Sequence, residues 1–158
     1  MPNSLRVSKS KPKARRSTEA SFEHVLRDIA KAENALFLKS DATDGWPDRY
    51  CGSGVWIEFK SLVFSRLISP YSYLRPEQRA TMRQLVAFGD DPWVCILLLH
   101  EATETEWVIF CPFNALLEEY GQKCGLDAIK KAIYTHARAD FEEYFKEWLK
   151  FNKQDAGI

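Results

Sequence analysis

A chain of 158 residues and 18.3 kDa, 46% hydrophobic and 28% charged, has the size and composition of one globular domain with its own core. Its formal charge is zero, yet the first 17 residues hold six bases (Arg6, Lys9, Lys11, Lys13, Arg15 and Arg16) and no acid, leaving a body with 16 bases against 22 acids. No run reaches the ~18 apolar residues of a membrane span, the basic start lacks the apolar stretch of a secretory signal, and Cys51, Cys95, Cys111 and Cys124 follow no C-x-x-C spacing, which argues against a membrane protein, a secreted one and a disulfide scaffold. His24, His100 and His136 are too scattered to read as a zinc site. A soluble, cytoplasmic protein in a reducing compartment is expected.

Residues 1–17, rich in Ser, Lys, Arg and Pro, read as a disordered basic arm suited to a polyanion or simply to solubility. Thr18 or Ser21 can cap a first helix whose apolar face is Phe22, Val25, Leu26, Ile29 and Ala32, with Glu23 at its edge. A short strand over 35–40 and a polar turn over 41–47 precede a hairpin at 48–60. Residues 61–74 lack clean periodicity and read as a long exposed loop. A helix then opens with Pro76 at its first position and Glu77 in its first turn, buries Met82, Leu85, Val86 and Phe88, and ends at Gly89. Gln78 falls on its inward face, where an amide needs a partner.

The run 93–99 predicts a buried strand, 106–111 a strand nearer an edge, and 112–120 a short helix. Beyond Gly121, a helical stripe runs from Ile129 to Leu149. Asp140 and Glu143 resemble an internal capping box that would split it into two helices. Its wide aromatic face must pack on the body or on a second copy, so a homodimer is one expectation.

The hairpin carries the chemistry. Val55, Ile57 and Phe59 alternate with Trp56, Glu58 and Lys60, so one side of a strand rich in aromatic and β-branched residues holds an acid and an amine. Asp48, before the Cys51-Gly-Ser-Gly54 turn, belongs to the neighbouring strand and can approach Glu58. Two adjacent carboxylates repel unless a cation lies between them.

With Pro47-Asp48, a nine-residue gap and Glu58-Phe59-Lys60, the order helix, three strands, helix, strand resembles the PD-(D/E)XK nuclease superfamily. Phe22-Glu23, Leu38-Lys39, Gly45-x-Pro47-Asp48-Arg49, Ile57-Glu58-Phe59-Lys60 and Leu74-x-Pro76-Glu77-Gln78, followed by Leu85 and Gly89, resemble its virus-type replication-repair (VRR-NUC) family over about residues 21–120. Two departures stand out: the segment 61–74 is longer than is usual in that family, and the tail after Gly121 lies beyond the matched region.

The resemblance implies an α/β restriction-endonuclease-like fold, with an αβββαβ core over 18–121 and a helical extension over 122–158. It implies a metal-dependent DNA endonuclease, directed by DNA structure such as a junction, flap or end, in phage-type recombination or repair. Asp48, Glu58 and the backbone carbonyl of Phe59 would hold Mg²⁺, with Mn²⁺ able to substitute, and Glu23 would reach the ion through a water. Lys60 and Gln78 would complete the catalytic set. Expected DNA contacts are Lys11, Lys13, Arg15 and Arg16 of the arm, Lys39, Arg49, and Arg66, Tyr71 and Tyr73 of the long segment, whose alternative role is to cover the core. A second class of reading is a catalytically silent nuclease-fold protein that binds DNA or inhibits a nuclease through its acidic body.

Overall fold

The computed structural model describes residues 18–40 and 45–152, so the expected arm over 1–17 and residues 41–44 and 153–158 lie outside the described residues. Helix α1 (Glu19–Ala32) starts where a reciprocal cap closes: the Ser21 N–H donates to Thr18 Oγ1 at 3.1 Å and the Thr18 N–H to Ser21 Oγ at 2.9 Å. Its buried stripe is Phe22, Leu26 and Ala30, while Ala32 at the last turn is exposed. The strand predicted over 35–40 contracts to β1 (Leu38–Lys39), because Ala35 is still tied to the helix end by its N–H to the Ala30 carbonyl.

Strands β2 (Arg49–Gly52) and β3 (Val55–Phe64) form the expected hairpin. Ser53 and Gly54 both have positive φ, 55° and 79°, the two-residue turn whose twist matches a hairpin. Strand β3 runs past the predicted loop boundary at 61. Leu62 and Phe64 are buried between exposed Ser61 and Val63, and the whole strand pairs in parallel with β4 (Asp91–His100), from Val55 opposite Asp91 to Phe64 opposite His100. Beyond it, Ile68, Pro70 and Leu74 are buried around a 3-10 turn (Pro70–Tyr73), and Ile68 exchanges both backbone hydrogen bonds with Cys124. The segment 61–74 is therefore strand and packed turn rather than a long exposed loop. A parallel partner must be reached by a crossover, and this segment with helix α2 (Pro76–Ala87) makes it.

Met82 and Leu85 of α2 are buried as expected, but Phe88 is 85% exposed, because it occupies the C-cap and has left the helical stripe. Strand β5 (Thr105–Pro112) is not the edge, since β6 (Thr135–Ala137) pairs with it from Trp107 to Ile109. The C-terminal stripe is accordingly not continuous helix. Helix α3 (Phe113–Tyr120) is followed by α4 (Leu126–Lys131), then β6, then α5 (Arg138–Asn152), whose first turn holds Asp140. The open edge of β5 needs hydrogen-bond partners, and residues 135–137 satisfy it.

The result is one mixed six-stranded sheet in the order β1-β2-β3-β4-β5-β6, antiparallel except for β3 and β4, with helices on both faces. Alternation along β3 and β4 divides the core. Val55, Ile57, Phe59, Cys95 and Leu97 face α1 and α5, whereas Leu62, Phe64, Val94, Ile96 and Leu98 pack with Met82 of α2 and Leu116 of α3. Phe141, Phe145, Trp148 and Leu149 seat α5 on the body of its own chain, with the Phe110 ring 5.6 Å from Phe141 and 4.9 Å from Trp148. Each of these buried rings is worth about 1.5–3 kcal/mol in transfer free energy. Among the described residues, no helix is long and apolar enough to cross a membrane.

Candidate active site

The β2–β3 register pairs Arg49 with Ile57 and Tyr50 with Trp56, and one step further out it brings Asp48 opposite Glu58. Opposed residues of an antiparallel pair project to the same face, here the face covered by α2. The segment before β2 is held against that helix: Gly45 has φ 94°, and a Cβ there would lie 3.0 Å from the Glu77 carbonyl oxygen and 3.1 Å from Thr81 Oγ1. The approach leaves room only for glycine, and it delivers Asp48 to the end of the strand.

Asp48 Oδ2 accepts a hydrogen bond from the Phe59 N–H at 2.9 Å, which fixes the carboxylate across the hairpin. Glu58 is 3% exposed. Its Oε2 accepts from Gln78 Nε2 at 2.9 Å, but its Oε1 is buried with no hydrogen-bond partner. Gln78 is locked at its other end, where Oε1 accepts the Arg75 N–H at 2.9 Å at the start of α2. One amide thus serves both the helix terminus and the buried acid. Lys60 is half-buried beside this pair and makes no ion pair with another described residue.

The electrostatics show a shared field. Burial, reinforced by Asp48 and opposed by Lys60, pushes the Glu58 carboxyl up to about 8. Burial likewise raises Asp48, against the lowering effect of the Phe59 N–H. A buried carboxylate oxygen without a donor costs about 1–3 kcal/mol or more. Its two remedies are a proton or a cation, and an oxygen ligand directed at Mg²⁺ or Mn²⁺ is the second.

A third carboxyl joins from α1, and it is not the expected one. Glu23 is ion-paired with Arg49, whose guanidinium also donates to the Phe37 carbonyl at 3.1 Å and lies 4.9 Å over the Phe37 ring. Arg49 is only 7% exposed, so it is an internal tie rather than a DNA contact, and the Glu23 carboxylate expected to reach a metal through water is engaged by that tie. Glu19, one turn earlier, has an exposed side chain. Crowding around its carboxyl and the nearby Asp48 nevertheless raise it, and Lys60 opposes them, so it shares the field of the acidic pair. The signal in the sequence was the i, i+4 spacing of Glu19 and Glu23, overlooked because an acid in a first helical turn is explained by the helix dipole alone.

The other expected DNA contacts separate. Lys39 is exposed on β1 and Arg66 is exposed before the 3-10 turn. Tyr71 is half-buried between the Arg79 guanidinium, 5.1 Å from its ring, and Phe113, 6.4 Å away, so it covers the core. Tyr73 is exposed. Lys11, Lys13, Arg15 and Arg16 lie outside the described residues.

Thiol chemistry has no support in this arrangement, since burial pushes Cys51 and Cys111 up to about 12 and raises Cys95 well above the ordinary thiol value. Among the described residues no three His, Cys, Asp or Glu side chains form a metal cluster. Two carboxylates and a main-chain carbonyl remain adequate for Mg²⁺, which retains several waters. No family model matches this chain, and no curated protein matches it either.

Proposed function

We propose that this chain is a metal-dependent DNA endonuclease, with a PD-(D/E)XK-like core formed by α1, β1, β2, β3, α2 and β4. The observation that carries the proposal is the buried, partnerless Oε1 of Glu58 beside Asp48, whose own Oδ2 is held by the Phe59 N–H. Asp48, Glu58 and the Phe59 carbonyl are the residues to hold Mg²⁺ or Mn²⁺. When bound, that ion supplies Lewis acidity toward the scissile phosphate and a water of lowered pKa.

The chain's own groups do the rest. Gln78, fixed by the Arg75 N–H, keeps Glu58 Oε2 occupied and so leaves Oε1 as the free ligand atom. The Lys60 amine, on the same face as Glu58, orients the attacking water and neutralises charge that builds on the phosphate oxygens. Glu19 adds negative charge at the mouth and can accept a proton there. The resemblance to the PD-(D/E)XK nucleases implies a 5′-phosphate and a 3′-hydroxyl as products. No element among the described residues is suited to reading base edges, so backbone and shape guide the enzyme, which favours branched or end-containing DNA.

Purified protein incubated with linear, flap, splayed-arm and four-way-junction DNA in Mg²⁺, Mn²⁺ or EDTA tests the reading. Asp48→Ala and Lys60→Ala are each expected to reduce cleavage by about 10²–10³-fold or more while melting like the parent. Cleavage that survives both substitutions, or that proceeds in EDTA, removes this site from the mechanism. Binding without any cleavage transfers the chain to the catalytically silent class. Deleting residues 1–17 is expected to weaken DNA binding and to flatten its salt dependence by about 0.9 for each phosphate that is no longer neutralised. An unchanged slope would make the arm a leader without a role in binding.

A further inference from the structure

We infer that Trp46, Tyr50 and Trp56 form a stacking platform for an unpaired nucleobase of the DNA strand whose phosphate occupies the Asp48–Glu58 site, an inference that rests on the nuclease reading. The three rings are contiguous, with centroids 5.5 Å apart for Trp46 and Trp56 and 4.7 Å apart for Tyr50 and Trp56. They also adjoin the acidic pair in sequence and in space. Tyr50 and Trp56 are the rung of the β2–β3 ladder next to Asp48 and Glu58, on the same face and about 7 Å along the strands. Trp46 precedes Asp48 by two residues. A nucleotide held by its phosphate at one rung can therefore lay its base on the next.

The polar edges of the inner two rings are already used. The Trp56 indole N–H donates to Asp90 Oδ2 at 3.0 Å, and the Tyr50 hydroxyl accepts the Gly54 N–H at 3.2 Å. Both are half-buried, and the Trp56 ring is tilted by 52° to Tyr50 and 59° to Trp46. Trp46 is the outer ring, 38% exposed, and its indole N–H has no hydrogen-bond partner among the described residues. Leu38, opposite Tyr50 on β1, is exposed and continues the apolar row. Exposed Leu38 and Trp46 thus flank the half-buried Tyr50 and Trp56 beside the acidic pair.

Charge selects the occupant. Asp90 holds the Trp56 indole and Asp48 lies two residues from both Trp46 and Tyr50, so two acids that repel a phosphate but not a neutral base adjoin the rings. Bases inside a duplex already stack on their neighbours, so a free ring face is complementary to a base in a flap, splayed arm or end. Tyr71, the ring that the sequence offered for this task, is covered by Arg79 and Phe113.

The test uses the full chain with Ca²⁺ in place of Mg²⁺, so that an oxygen-ligated cation is present, with a splayed-arm DNA carrying 2-aminopurine in one arm and a blunt duplex, beside Trp46→Ala, Trp46→Phe and Trp46→Leu. The parent is expected to quench the 2-aminopurine. Trp46→Ala should weaken splayed-arm binding about tenfold more than duplex binding. Phe should restore binding and quenching, and Leu, which fills similar space without a π face, should not. Equal losses on both DNAs, or Leu performing as well as Phe, overturn the platform. So does a dimer in sedimentation that Trp46→Ala dissociates, because the rings then cover a second copy. Quenching by a parent protein that cuts no substrate retains the platform and removes the nuclease reading. Cutting that is indifferent to Trp46 does the reverse.

Discussion

Two charged pairs meet on opposite sides of the same hairpin, through Arg49 and Asp48, which are neighbours in sequence. On the α1 side, Arg49 is buried with Glu23 and the Phe37 carbonyl, so every charge has an opposite or a dipole against it. On the α2 side, Asp48 and Glu58 place like charges together, Glu58 Oε1 lacks a donor, and Lys60 is left without an ion pair among the described residues. One hairpin anchors both, and the difference lies in neutralisation. A satisfied buried pair organises structure, whereas an unsatisfied one stores a demand that a ligand can meet.

The contrast can be broken in graded ways. The largest effect belongs to catalysis, where Asp48→Ala and Lys60→Ala should each remove most cleavage without lowering the melting temperature. Next, Arg49→Ala should cost about 3–5 kcal/mol in urea unfolding, because it strands Glu23 in a half-buried site. Cleavage should persist at temperatures where that variant remains folded. An Arg49→Ala protein as stable as its parent but deficient in DNA binding would invert the roles of the two sides.

Glu58 provides a sharper comparison through pH. Its folded carboxyl is raised to about 8 from an ordinary value of 4.5, so the folded state binds the extra proton between these limits. Stability in EDTA is therefore greatest at and below the unfolded value, and it falls as pH rises through the folded one. The melting temperature should drop by about 10 °C between pH 5 and pH 8.5. Glu58→Gln should flatten that slope, and Mg²⁺ should restore the melting temperature of the parent at pH 8.5. A flat profile for the parent in EDTA would mean that Glu58 is not desolvated. The smallest of these effects is that of Gln78→Ala, which removes both the helix-start acceptor and the Glu58 donor and should cost about 1–3 kcal/mol. Loss of cleavage beyond that of an equally destabilised core variant would separate positioning from stability.

Much of this was legible in the alternation of a few short stretches. Thr18-x-x-Ser21 announced the first helix, Pro76 the second, and Val55 through Lys60 the strand that carries the acid and the amine, because caps and period-2 patterns are local consequences of backbone geometry. The apolar pattern continued through Leu62 and Phe64, yet the strand's end was misplaced, because a parallel partner 36 residues downstream decides how far a ladder runs. The same holds for residues 135–137. Helical by period, they become a strand because β5 needed an edge partner.

The sequence by itself determined which residues carry charge on the hairpin and which face each would occupy, since side-chain direction follows from position along a strand. Tertiary structure alone decided which of those charges would be neutralised. Phe37 and Glu23 come from distant segments to enclose Arg49, Gln78 arrives from α2 to satisfy one oxygen of Glu58 and not the other, and Glu19 as well as Glu23 adds its charge to the field of the acidic pair. Burial and pairing depend on what the chain brings together through space, and that arrangement separates a structural ion pair from a candidate active site.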